Sequence, residues 1–306
     1  MTDTPTRAGF VALIGEPNAG KSTLTNRMVG AKVSIVTHKV QTTRARIRGV
    51  AIEGAAQIVF VDTPGLFRPR RRLDRAMVAA AWGGAADADI VVLLVEAHRG
   101  LTEGTQAIID ALKDRVSPGR KVALAINKID RVKAEALLAL AEKLNAAYPF
   151  TETFMISAEK GHGVDALRGW LAESLPEGPW LYPEDQIADL PMRMIAAEMT
   201  REKLTLRLHE ELPYQITVET EHWQERKDGS VRIDQVIYVV RDGHKGIVLG
   251  HKGETIKSIS QAARAEIAEF LGRPVHLFLQ VKVRENWLEE AERYSEMGLE
   301  FRDGNT

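Results

Sequence analysis

The sequence predicts an α/β domain with a mostly parallel sheet, followed by a smaller α+β domain. From residue 10 to about 175, short apolar runs alternate with amphipathic stretches, the pattern of a parallel sheet covered by helices on both faces. Between the apolar run 10–14 and a helical stretch stands Gly15-Glu16-Pro17-Asn18-Ala19-Gly20-Lys21-Ser22, a glycine-bounded loop. Beyond residue 190 the periodicities come in the order α, β, β, α, α, β.

The strands of the first domain are 10–14, 58–61, 90–95, 122–126 and 153–156. Residues 46–52 alternate more strictly and directly precede 58–61, so they read as an edge strand pairing antiparallel with its successor. The most lipid-like stretch, 77–95, is broken by Asp87 and Asp89 and contains two glycines, so it is a helix followed by a buried strand and not a membrane span. The domains divide as 1–176, a linker over 177–190 rich in proline and acids, and 191–306. In the second domain a helix over 191–211 leads to a hairpin, 214–223 and 231–240, joined by the turn Lys227-Asp228-Gly229-Ser230. A short apolar turn, the segment Gly250-His251-Lys252-Gly253, a helix over 254–271, a strand over 275–283 and a charged terminal helix complete it.

At 306 residues the chain exceeds the usual size of a single core, and its 27% charged and 44% hydrophobic residues are those of an ordinary soluble protein. A formal net charge of -1 conceals an asymmetry: residues 1–176 hold 24 Lys+Arg against 18 Asp+Glu, the remainder 17 against 24. With no cysteine there are no disulfide partners, thiolate metal sites or thiol nucleophiles, and a reducing cytoplasm suits the chain. No basic, apolar and small-residue order of a secretory signal precedes the first strand.

The glycine-bounded loop is a phosphate-binding loop: Gly15 and Gly20 let the backbone curl so that successive N–H groups between Glu16 and Thr23, Pro17 having none, converge on phosphate oxygens. Lys21 then reaches the β and γ phosphates, and the Ser22 hydroxyl ligates Mg²⁺. Three further segments fall at strand ends, where an open α/β sheet places its ligand crevice. In Asp62-Thr63-Pro64-Gly65, Asp62 is suited to hold Mg²⁺ through water, and the Gly65 amide to contact a γ phosphate lost on hydrolysis. In Asn127-Lys128-Ile129-Asp130, Asp130 can accept from N1 and N2 of guanine, the Lys128 stem covers the base and Asn127 ties the loops together. Adenine would leave that carboxylate unpaired, so GTP and GDP are the expected nucleotides. Ser157-Ala158 supplies a backbone N–H to guanine O6.

Four such motifs in this order resemble the translation-factor-related GTPases and, among them, the Era family, over nearly the whole chain. The resemblance makes Gln41-Thr42-Thr43-Arg44-Ala45 the first switch, with a threonine, Thr43 favoured over Thr42, completing the Mg²⁺ shell. Leu66 stands where Ras-like GTPases place the glutamine that orients the attacking water, so intrinsic hydrolysis is expected to be slow. Asn18 resembles the asparagine that binds K⁺ in relatives, where the ion stands in for an arginine finger, and K⁺ is expected to activate. Asn18, Lys21, Thr43 and Gly65 are thus the expected catalytic residues.

Gly250-His251-Lys252-Gly253 resembles the GXXG loop of a K-homology (KH) domain, which clamps single-stranded RNA, and the αββααβ order is that of the type II variant. His251 and Lys252 project toward phosphates, with Lys245 upstream. Between residues 241 and 284 there are eight Lys+Arg and four Asp+Glu, a local basic excess inside an acidic half. The family resemblance further implies binding near the 3′ end of 16S rRNA, a role in maturing the 30S subunit, and loose association with the inner membrane. Two other readings stay open on residues alone: a metabolic phosphate-loop kinase, and an RNA-binding structural protein with weak or absent nucleotide turnover. The arginines from Arg68 to Arg72 carry no assigned role.

Overall fold

The computed structural model describes residues 5–37, 39, 47–69, 72–285, 287, 290, 294 and 299. The chain divides into two compact units, one built chiefly from residues up to Asp189 and one from Leu190 onward.

The first unit runs β1 (Arg7–Gly15), α1 (Lys21–Val29), β2 (Ile47–Glu53), β3 (Ala56–Asp62), α2 (Arg72–Asp87), β4 (Ile90–Glu96), α3 (Glu103–Arg115), β5 (Lys121–Asn127), α4 (Ala134–Ala147), β6 (Glu152–Ile156) and α5 (Val164–Ser174). Its six strands lie in the order β2-β3-β1-β4-β5-β6, all parallel except β2, which pairs antiparallel with β3. The edge strand therefore sits where its alternation placed it. Neighbouring residues of a strand point to opposite faces, so Leu13 packs in one core with Leu24, Phe60 and Leu171, while Ala12 and Ile14 pack in another with Trp82, Leu93 and Leu112. Both faces being buried explains why these strands read as continuous apolar runs.

Residues 177–189, read from sequence as the body of a linker, belong to the first unit. They lie along its edge strand β2: the Val50 amide donates to the Ile187 carbonyl at 2.9 Å, and the Asp189 amide to the Arg48 carbonyl at 3.0 Å. Buried Gln57 accepts from the Leu181 and Tyr182 amides and donates back to the Tyr182 carbonyl at 2.8 Å. An edge strand leaves backbone groups unpaired, and this irregular strap satisfies several of them.

The second unit comprises α6 (Met192–Arg207), β7 (Ile216–Glu225), β8 (Val231–Val239), α7 (Asp242–Leu249), α8 (Glu254–Leu271) and β9 (Val275–Val283). β7 and β8 form the expected hairpin, and β9 pairs parallel with β8 after the α7–α8 crossover. Leu204, Ile216, Ile237, Val248 and Ile259 form its core. Val36 and Lys39 also group with this unit: the Val36 amide donates to Glu202 Oε1 at 2.8 Å, and Lys39 Nζ to the Leu208 carbonyl. The charged terminal helix lies largely outside the described residues.

Candidate active site

The five parallel strands bring their carboxyl ends to one edge of the first sheet, and Gly15, Asp62, Asn127 and Ile156 all end strands there. β1 is flanked by β3 and β4, so the chain order reverses around it, which places the crevice beside the phosphate loop.

Gly15 has φ 150°, and a Cβ on it would lie 2.5 Å from the Leu94 carbonyl oxygen. Asn18 and Gly20, at φ 66° and 102°, complete the reversal that starts α1 at Lys21. Lys21 is buried, and its Nζ donates to the Gly15 and Glu16 carbonyls at 3.1 and 2.9 Å. Glu16 Oε2 accepts from the Thr102 and Thr105 hydroxyls at 2.6 and 3.0 Å, which anchors the loop to the N-terminus of α3. The segment after Asp62 is locked to the same loop. Thr63 Oγ1 donates to the Leu13 carbonyl at 2.7 Å, the Leu66 amide to the Gly15 carbonyl at 2.9 Å, and a Cβ on Gly65 would lie 2.8 Å from Pro17 Cα.

Asp62 is fully buried; its Oδ2 accepts from the Ser34 hydroxyl at 2.6 Å, and its Oδ1 has no hydrogen-bond partner. Burial pushes its carboxyl pKa up, and hydrogen bonds from Ser34 and Ser22 and the Lys21 charge pull it back. An unpaired buried carboxylate oxygen beside a serine hydroxyl suits Mg²⁺, which takes one or two carboxylates and completes its shell with substrate phosphates and water. Among the described residues no three His, Cys, Asp or Glu gather into an all-protein cage. Thr42 and Thr43, with the whole expected switch 41–45, lie outside the described residues.

Burial lowers the Lys21 pKa to about 8, against the raising influence of the Asp62 and Glu16 carboxylates. A phosphate beside Lys21 favours its charged form and a cation beside Asp62 favours the carboxylate, so a cation-bound polyphosphate reverses both shifts. The sign of the pH dependence follows. Below pH 8 the free chain already carries the Lys21 proton; above it, binding must take the proton up. GDP affinity measured by calorimetry is expected to be flat well below pH 8, to be about halved near pH 8 and to be about tenfold below its plateau by pH 9.

The base-reading loops meet the phosphate loop through Asn127. Its Nδ2 donates to the Ala19 carbonyl at 2.8 Å, and its Oδ1 accepts from the Ala158 amide at 3.0 Å. Of the two backbone N–H groups from which the guanine O6 donor is expected, that of Ala158 is thus engaged by Asn127, and that of Ser157 donates to the His162 carbonyl at 2.9 Å. Lys128, at φ 63°, donates from Nζ to the Asn18 carbonyl at 2.8 Å and to Glu96 Oε1 at 2.7 Å. Asp130 is fully exposed, and a hydrogen bond with the Ser157 side chain holds its carboxyl below the usual range. An ionised, accessible carboxylate beside a fixed lysine stem can read the edge of a guanine base. Arg27 Nε, donating to the Ala158 carbonyl at 3.2 Å, steadies the last loop from α1.

Ser34, Glu96 and Arg27 escape sequence reasoning. Only Glu96 carried a signal, because it ends an apolar strand as Asp62 does.

In the second unit, Gly250-His251-Lys252-Gly253 joins α7 to α8. Gly250 sits at φ 74°, where a Cβ would lie 2.1 Å from Thr255 Oγ1, and Gly253 at φ 80° precedes the first turn of α8. His251 and Lys252 are exposed, and Lys245 is half-buried on α7. A loop with bare backbone at both ends and a histidine and a lysine between them admits a phosphodiester strand closely.

Comparison with known proteins adds to this geometry. The model of the 50S ribosome-binding GTPase family matches residues 10–128, and that of the KH domain matches residues 211–288. GTPase Era of Dinoroseobacter shibae is 82% identical over 301 residues, covering 98% of each chain. The chain belongs to the Era GTPase family. GTPase Era of Brucella suis is 65% identical over 298 residues, covering 97% of this chain and 95% of the relative. Two solved Era structures superimpose with TM-scores of 0.89 at 38% identity, covering 96% of this chain and 99% of each of theirs. One is an Aquifex aeolicus Era variant bound to GDP·AlF4-, the other Era with MgGDPNP and nucleotides 1506–1542 of 16S ribosomal RNA. As an Era-family GTPase, the chain hydrolyses GTP to GDP and phosphate, and the expected G domain followed by a KH domain is the fold it has. In the Era site Leu66 is 4% exposed and packed among Ala81, Trp82 and Leu93, so its side chain belongs to the core.

Proposed function

We propose that this chain is a GTP-driven switch whose KH domain binds 16S rRNA near its 3′ end and which assists maturation of the 30S ribosomal subunit. The observation that carries the switch is the pair of hydrogen bonds that Asn127 makes to the Ala19 carbonyl and the Ala158 amide, since one side chain joins the phosphate loop to both base-reading loops. The Gly250–Gly253 loop supports the RNA partner. Residues 1–176 serve the nucleotide and residues 191–306 the RNA.

In the reaction, water attacks the γ phosphorus, the bond to the bridging oxygen breaks, and GDP and phosphate leave. Lys21 exchanges its carbonyl partners for phosphate oxygens, the Gly65 amide contacts the γ phosphate, and Asp130 holds the base through two N–H groups. Ser22, Asp62 and Thr43 would hold Mg²⁺, which would supply positive charge to the phosphate groups. Leu66 offers no hydrogen bond to water, so intrinsic turnover is slow, and Asn18 holds K⁺ as the activating cation. The protein works in the cytoplasm with peripheral contact to the inner membrane; no described helix is long and apolar enough to cross a membrane.

GTP turnover in K⁺ and in Na⁺, with and without an RNA carrying the 3′-terminal 16S sequence, tests this reading. K⁺ is expected to accelerate turnover in the parent and not in Asn18→Ala; equal stimulation in both rules out that role. RNA affinity should fall by about 0.7 log units per log unit of salt for each phosphate neutralised. Replacing His251 and Lys252 together by aspartate should weaken RNA binding more than tenfold and leave GDP affinity unchanged; a salt-independent affinity would point to a protein partner instead.

A further inference from the structure

We infer that Glu96 is a positioning residue for guanine-nucleotide binding: its carboxylate holds the Lys128 ammonium at the phosphate loop and so fixes the stem that covers the base. The inference rests on the guanine-site reading above.

Glu96 ends β4 in register with Asn127 of β5, and the Ala97 amide donates to the Asn127 carbonyl at 2.8 Å, so the acid is held rigidly beside the base-reading loop. It is 9% exposed, a costly place for a carboxylate unless it is paired. Its Oε1 lies 2.7 Å from Lys128 Nζ and 3.1 Å from His98 Nδ1. The same Nζ donates to the Asn18 carbonyl at 2.8 Å. Asn18 and Lys128 are two of the four non-glycine residues with positive φ among the described residues, and this one hydrogen bond joins them. Such backbone conformations persist where their surroundings over-determine them, and Glu96 supplies one of the restraints.

Electrostatics give the carboxylate a second role. A lysine ammonium is a compact point charge on a flexible stem, and a triphosphate bound in the adjoining loop attracts it. The charge-assisted bond to Glu96 offers a competing partner that keeps the Nζ at the Asn18 carbonyl. Without that partner, Lys128 swings toward the phosphates and its methylenes leave the base. Glu96→Gln keeps the size and one acceptor oxygen for Lys128, removes the charge and puts an amide N–H2 in place of the second oxygen.

Dissociation constants for GDP, measured on the full chain by calorimetry, test this in Glu96→Gln, Lys128→Met and the double variant. Glu96→Gln should weaken binding about tenfold, Lys128→Met more, and the double variant no more than Lys128→Met alone. A purely structural contribution of Glu96 would persist in the Lys128→Met background, so losses that multiply would overturn the inference. Unchanged affinity in Glu96→Gln would overturn it too. Unchanged affinity in Lys128→Met would overturn both this inference and the guanine-loop assignment beneath it.

Discussion

Asp130→Asn should transfer the nucleotide preference of this chain from guanine to xanthine. An ionised carboxylate, with two oxygens and no hydrogens, can accept from both N1–H and the N2 amino group of guanine. Asparagine at this position presents its amide hydrogens to the N2 amino group, donor against donor. Sites built around a hydrogen bond reject a mismatched partner by roughly 10⁴ to 10⁵, and part of the binding here comes from the phosphates, so a loss on the order of 10³ in GTP affinity is expected. Xanthine carries a carbonyl at C2, which the asparagine amide can donate to while its oxygen still accepts N1–H. Because Asp130 is fully exposed, the substitution leaves the core intact, and the thermal midpoint should not move. Competition of XDP and GDP for the purified variant is the measurement; retained guanine preference would remove Asp130 from the site.

Gly20→Ala should disable the same site from inside. Gly20 sits at φ 102°, and a Cβ on it would lie 2.2 Å from Asn127 Nδ2, too close for either atom to stay. The left-handed backbone costs an L-residue about 1–3 kcal/mol. Moving the Asn127 amide breaks its bonds to Ala19 and Ala158, and stranding buried polar groups costs about 1–3 kcal/mol each. Guanine-nucleotide affinity is therefore expected to fall by on the order of 10² or more, with a lowered melting transition for the first unit. RNA binding by the second unit should survive. Adding Asn127→Ala frees the contested space, so the double variant should be no worse than Gly20→Ala; a further loss would mean that the clash with Asn127 is not the cause.

Gly15, Gly20, Gly250 and Gly253 were legible from the sequence because each sits in a tight turn at positive φ, whereas the close approach of Gly65 to Pro17 needs the closed fold. Asp62 and Asn127 were legible as polar residues ending apolar strands of a predicted parallel sheet. The same logic extends to Glu96, which no motif singles out. Ser34 had no signal at all: a serine between Val33 and Ile35 becomes a partner of Asp62 only when β3 has closed beside it.

Residues 177–189 show the same division. Proline and acid content announced an irregular segment correctly, and composition has no means of stating that such a segment runs along β2. The amide of Ala158 is a finer case, since its residue was expected at the base-reading end of β6 and lies there, while its hydrogen bond goes to Asn127.

Periodicity, glycine placement and the order of motifs sufficed for two domains, their folds and the class of nucleotide, because these depend on interactions within a few residues of chain. The bonds of Asn127 to Ala19, of Lys128 to Glu96 and Asn18, and of Gln57 to Tyr182 awaited the closed fold. Each joins positions 31 or more residues apart, each is set by strand register and loop closure together, and neither leaves a trace in local composition.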